Sequence, residues 1–321
     1  MNAVILFSHG SLLCGAGEAL LAQASRLRER GIAPIVEVGY LNYSEPPFAD
    51  TVAQVVRAGA ARILVTPYFL VPGKFVKVDL PKAVAAAQTA YPNVEFVVAE
   101  AIGFDPRLAD ALLESASRSF GPERWREDLT RVSSYCRPNP ECPLYNTAYC
   151  PKAPGDNTLA GLESIQQTTL NQSVTNPQSS DTLQNISANV SAGGSLLSTT
   201  VKAALLVMIH GSPRPIANAD MFRVVEVVKS RGVFPIVEVG FMECNEPSIP
   251  EAIDRCVEQG ASCITAVPYF LHTGTHVADD LPTLMEEGRL RHPNTIFSMG
   301  EYLGRSESLT DILETRILAV K

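Results

Sequence analysis

The chain predicts an α/β fold built from two tandem copies of one small domain, each a parallel sheet with helices on both faces. Three observations predict it. Val4 to Glu114 aligns with Leu205 to Thr315 at a constant offset of 201 residues and without a gap, and roughly a third of the paired positions are identical. Within each copy, short and almost continuously apolar runs alternate with helical patterns, which is the signature of parallel strands buried on both sides. The length of 321 residues suits two domains, each long enough to bury a core.

The elements follow in order. Val4–Ser8, Ile35–Tyr40, Arg62–Thr66 and Val94–Val98 read as strands because they are β-branched or apolar and too short for buried helices. Ala19–Arg30, Pro47–Ala58 and Leu80–Ala90 read as helices. Gly31 and Gly59 close the first two of these, each supplying the left-handed position after a last turn, and Pro47 suits a first turn. The second copy repeats the plan, with Gly232 and Gly260 as the stops and a helix over Leu281–Leu290. The expected division is a domain over 1–120, a linker over 121–200 and a second domain over 201–321.

Composition narrows the function. Apolar residues make up 46% and charged residues 19%, ordinary for a globular protein, and the net charge of −8 argues against a nucleic-acid partner. No apolar run approaches the ~20 residues of a membrane span. The chain enters a strand at once with no secretory pattern, so a cytoplasmic location and reduced thiols are expected. The linker from Asn157 to Thr200 is Ser-, Thr-, Asn- and Gln-rich, which cannot bury enough apolar surface to offset ordering and reads as disordered. Before it, Cys136, Cys142 and Cys150 stand among prolines. Three thiolates would suit an iron–sulfur cluster or zinc, but there is no C-x₂-C pair and a fourth ligand is missing, so a Cys-bearing loop is the simpler reading.

In a parallel sheet, ligands bind beyond the carboxyl ends of the strands. His9 and His210 end the first strand of each copy, Asn42 and Glu243 follow the second, and Phe75 and His276 lie in the loop after the third. Only the second copy therefore brings two imidazoles and a carboxylate to one edge: His210, Glu243 and His276. That set suits a divalent first-row metal with positions left open for exchange. His272 lies in the same loop and is the weaker candidate, while His292 falls at the opposite edge and reads as structural. Ser11 and Ser212 lie in no G-x-S-x-G elbow and have no evident acid partner, which disfavours a hydrolase.

These motifs carry a resemblance. His-Gly-Ser after strand one, Val237-Glu238-Val239-Gly240-Phe241 with Glu243 and Glu246-Pro247-Ser248 at strand two, and Pro268-Tyr269-Phe270-Leu271 leading through His276 to Asp280-Leu281-Pro282 resemble the sirohydrochlorin chelatases in their long, two-domain form. The resemblance spans both copies and omits the linker. It implies chelatase-like domains, a lyase that inserts Co²⁺ or Fe²⁺ into sirohydrochlorin, and one chain acting as a pseudo-dimer. No cofactor is implied beyond the metal that is itself a substrate. It further implies that His210 and His276 bind metal and that Glu243 is the acidic site residue; His9 matches a family histidine, but Asn42 and Phe75 depart from the pattern. Insertion requires two pyrrole protons to leave, and His210 is the first expectation for acceptor. The substrate carries eight carboxylates, so Lys74, Lys77 and Lys82 in the first copy and Arg214, with Ser212, in the second are candidate contacts, together with His9. A non-catalytic carrier of metal or tetrapyrrole would use the same ligands and is the alternative.

Overall fold

A computed structural model describes residues 1–11, 16–127 and 202–320. Of the expected linker only residues 121–127 are described; the rest of it, with its three cysteines, and residues 12–15 lie outside the described residues.

Each half is a four-stranded, all-parallel sheet. In the first, β1 (Asn2–Ser8) lies between β2 (Ile35–Tyr40) and β3 (Arg62–Pro67), with β4 (Glu95–Val98) outermost, giving the order β2-β1-β3-β4. The second sheet repeats this order with β6 (Ile236–Phe241), β5 (Ala203–Ile209), β7 (Cys263–Pro268) and β8 (Ile296–Met299). The helices are α1 (Glu18–Glu29), α2 (Phe48–Arg57), α3 (Leu80–Ala90) and α4 (Arg107–Ser117) in the first half. The second half has α5 (Ala219–Ser230), α6 (Ile249–Glu258), α7 (Leu281–Arg291) and α8 (Glu307–Leu318). Strands and the first three helices of each half match the expectation to within two residues. Gly31, Gly59, Gly232 and Gly260 all take positive φ where a helix stops, as expected.

Two further helices, α4 and α8, are not among those the sequence predicts. Their signals are present: Leu108 and Leu112 recur one turn apart with Ala109, Ala111 and Ala116, and Ser306 caps α8 by accepting from the Ser308 amide. They matter because they help to join the halves. Successive strand residues face opposite sides, so Ile5, Ile63 and Val65 pack outward under α2 and α3, while Leu6 and Leu64 face inward. The second sheet does likewise, with Leu206 and Ile264 under α6 and α7 and Leu205 and Val207 facing inward. Between the sheets, α1, α4, α5 and α8 form one shared apolar core that includes Leu20, Leu112, Val224 and Leu313.

A buried polar clasp breaks the symmetry of this joint. Gln23 on α1 donates from Nε2 to the Gly304 and Ser306 carbonyls, both at 2.9 Å, and its Oε1 accepts from Thr310 Oγ1 at 2.5 Å. The positions paired with Gln23 and Thr310 in the repeat are Val224 and Ala109, which are apolar. The clasp therefore exists on one side only and gives the two halves a single register. After α4 the chain crosses to the second half. Phe120 pairs antiparallel with Met299 and covers the edge of β8, and Trp125 is 4% exposed in the outer core of that half. Residues 121–127, which the sequence reading assigns to a disordered linker, are instead packed on the second half, because Trp125 has an apolar core there to enter.

Candidate metal and tetrapyrrole site

The turn after the first strand of each half is built on a glycine. Gly211 has φ +93°, and a Cβ placed there would lie 1.9 Å from the Glu243 carbonyl oxygen; Gly10 has φ +89° and the same relation to Asn42. Only glycine allows this approach. The close contact is tied down by the Glu243 amide, which donates to the His210 carbonyl at 2.9 Å, and by Asn245 Oδ1, which accepts from the Ser212 amide at 2.7 Å. His210 is thus held at the sheet edge with its ring exposed.

His276 arrives from the third strand. The loop after β7 enters a single π-helical turn, His276–Asp280, ahead of α7. The rings of His210 and His276 stand 5.0 Å apart between centroids at 74°. His276 Nδ1 lies 2.7 Å from Asp280 Oδ2, and His210 Nδ1 lies 3.3 Å from the Gly211 carbonyl. A carbonyl and an ionised carboxylate only accept, so in the neutral rings Nδ1 carries the proton and donates it. Each Nε2 is left with a free lone pair, which is how metal-binding histidines are oriented by their outer partners. With ring centroids 5.0 Å apart, the two imidazoles are the candidate pair of metal ligands at this edge.

Glu243 does not join this pair. Its side chain is exposed, and among the described residues no three His, Cys, Asp or Glu side chains gather into a metal cage. Its backbone has the nearer role, because both its amide and its carbonyl shape the His210 turn. Asp280 is a site residue that the strand-end rule does not single out, although its i,i+4 spacing from His276 signals it. Replacing Asp280 by Asn is expected to weaken Co²⁺ binding about 10- to 100-fold, the usual effect of losing an outer-shell partner; titration calorimetry measures it, and unchanged affinity would show that the carboxylate does not orient His276.

The same edge of the first half is aromatic. His9 Nδ1 lies 3.1 Å from the Gly10 carbonyl, as in its twin, but its ring packs at 4.1 Å from Phe75 and 5.5 Å from Tyr43. Lys74 and Lys77 flank Phe75 and are exposed, as is Lys82 on α3. Arg214 is exposed as well, and its amide donates to Ser212 Oγ at 3.2 Å.

His272 joins the two edges. Its Nδ1 donates to the Ala16 carbonyl at 3.2 Å, and its Nε2 accepts from Ser8 Oγ at 2.7 Å. Gly274 follows, 4.0 Å from Ser11 Oγ measured from its would-be Cβ. The loop that delivers His276 therefore starts against the turn that carries His9. Burial pushes the His272 ring down to about 4, with the nearby His9 a smaller contribution in the same direction. The folded protein binds fewer protons here than the unfolded chain below the ordinary histidine pKa near ~6.5, so stability falls as pH drops from there towards 4. Urea denaturation at pH 7 and pH 5 is expected to show that loss, and His272→Gln should flatten it; equal slopes would assign the loss elsewhere. His292, at the end of α7, places Nε2 2.6 Å from Asp254 Oδ1 on α6.

The chain is similar to known proteins in sequence and in fold. The CbiX family model matches residues 3–119 and again residues 204–320. A sirohydrochlorin cobaltochelatase of Methanocaldococcus jannaschii is 45% identical over 82 residues, covering 26% of this chain and 57% of that protein, so the matched stretch spans little more than half of it. A sirohydrochlorin cobaltochelatase of Priestia megaterium is 23% identical over 282 residues, covering 88% of this chain and 68% of that one. Among solved structures, SirB from Bacillus subtilis with Fe³⁺ superposes with a TM-score of 0.63 at 17% identity, covering 99% of this chain and 94% of that one, a likeness of fold.

Proposed function

This chain belongs to the CbiX family, and on that premise we propose that it is a lyase inserting Co²⁺ or Fe²⁺ into sirohydrochlorin. The observation that carries the reading is the His210–His276 pair, two imidazoles with both Nδ1 positions engaged and both Nε2 positions open, at the ligand-binding edge of a parallel sheet.

The chemistry asks for a weak hold and a proton sink. The divalent ion displaces two pyrrole N–H protons, so one metal enters as two protons leave. Two neutral imidazoles hold the ion without a cage, which leaves open positions through which the macrocycle can take it over. His276, backed by Asp280, is the firmer ligand. His210, backed only by a long contact to a carbonyl, is the looser ligand; once the ion passes to the macrocycle its freed Nε2 takes a pyrrole proton, and its exposure gives that proton a route to water. Glu243, whose backbone holds the His210 turn and whose side chain is exposed, is the candidate acidic relay for the second proton. Lys74, Lys77 and Arg214, with Ser212 and His9, are the contacts for the substrate's carboxylates.

Mixing the full chain with sirohydrochlorin and Co²⁺ or Fe²⁺ under anaerobic conditions tests the reading. The absorbance change of metallation should run many times faster than without protein and continue over many turnovers. Stoichiometric binding without turnover would identify a carrier instead.

A further inference from the structure

The first half holds the more unusual surface. At the position where the second half has His276 it has Phe75, and in place of Cys244 it has Tyr43. The two rings do not bury themselves. Tyr43 is 64% exposed and Phe75 37% exposed, yet both gather on His9, and Phe75 also stacks on Phe69 at 6.1 Å and 28°. Tyr43 is held in this position by a left-handed backbone, φ 62°, which non-glycine residues adopt at a cost. An exposed aromatic cluster at the ligand edge of a parallel sheet offers a flat π surface rather than a metal site, since neither phenyl nor phenol ring replaces an imidazole ligand here. Two lysines, Lys74 and Lys77, stand on the same turn. Flat conjugated faces and peripheral negative charge are the two properties such a surface recognises.

We infer that Tyr43, His9 and Phe75 form a stacking platform for one face of a planar, polycarboxylated tetrapyrrole, with Lys74 and Lys77 taking carboxylates at its edge. The three rings are too small an area to support a protein partner. The inference rests on the chelatase reading and deepens it: the duplicated site has been divided, one copy keeping the metal pair and the other orienting the macrocycle. The His272 bonds to Ser8 and Ala16 bring the loops of the two sites together, so a macrocycle lying on the platform would have the second half's histidines within the same mouth.

The test measures two affinities on the full chain, that of metal-free sirohydrochlorin by absorbance titration and that of Co²⁺ by calorimetry. Phe75→Leu and Tyr43→Leu are each expected to weaken tetrapyrrole binding ~10-fold or more, the contribution of a stacked ring, and to leave Co²⁺ affinity unchanged. Phe75→Tyr should keep both. If both leucine variants bind the tetrapyrrole as tightly as the unmutated chain, the platform is wrong while the chelatase reading stands. If the unmutated chain neither binds nor metallates sirohydrochlorin, the chelatase reading fails and the platform falls with it. Tyr43 is the more exposed residue, so its variant decides the matter should Phe75→Leu lose its circular-dichroism spectrum.

Discussion

Replacing His210 or His276 with alanine is expected to remove Co²⁺ binding and to slow metal insertion by about 10² or more, the scale of losing a positioned acid–base group. His9→Ala is expected to retain metal binding and to change the rate only a few-fold, acting mainly through KM. The difference follows from what each ring touches. The His210 and His276 rings stand together edge to face, 5.0 Å between centroids, whereas His9 packs against Phe75 and Tyr43. Calorimetry with Co²⁺ and an anaerobic absorbance assay, run on the three variants in parallel, check both parts. A loss in His9→Ala as large as that in His210→Ala would mean that the first half also carries the chemistry, and the division of roles between the two copies would be wrong.

Gly211→Ala should do comparable damage through the backbone. The position has φ +93°, and the added methyl would sit 1.9 Å from the Glu243 carbonyl oxygen and 3.1 Å from Asn245 Oδ1. Neither atom can retreat cheaply, because the Glu243 amide holds the His210 carbonyl and Asn245 Oδ1 holds the Ser212 amide. Backbone strain of this kind costs about 1–3 kcal/mol before the clash is counted, so a drop in Tm of roughly 6–12 °C is expected if the total reaches about 3 kcal/mol. Insertion should fall as well, since the turn that moves is the one that presents His210. Gly232→Ala is the control: it too has positive φ, +65°, but a methyl there meets nothing within 4 Å, so only strain remains. Equal effects of the two substitutions on Tm would show that the close approach to Glu243 is not what makes glycine necessary.

The parts of the site that depend on position along the chain are legible in the sequence. His210 and His276 fall at one edge because both lie just past the ends of parallel strands, and strand ends are readable from apolar runs. The same rule puts Glu243 there, and for Glu243 the rule is too coarse. A residue after a strand end is near the edge, but whether its side chain or its backbone faces the site depends on the turn, and here the turn uses the backbone. Asp280 shows the opposite case. Its spacing from His276 is visible in the sequence, but the single π-helical turn that brings Nδ1 and Oδ2 to 2.7 Å is not. Helices α4 and α8 carry apolar spacing that is easily passed over, and with them goes the shared core that makes two copies one molecule.

The repeat, the α/β class, the four strands of each half, the glycine stops and the unequal histidines are determined by the sequence by itself, because each follows from local preference and from apolar periodicity at short range. What only the tertiary structure decides are contacts between segments remote in the chain: the Gln23 clasp on Gly304, Ser306 and Thr310, the crossing of Trp125 into the second half, the bond from Ser8 to His272, and the gathering of Tyr43 and Phe75 on His9. Such contacts are specified by the packing of two surfaces against each other. No pattern along one strand or helix encodes them, and the near-symmetry of the repeat conceals them, since each one involves a residue whose twin in the other copy is different or absent.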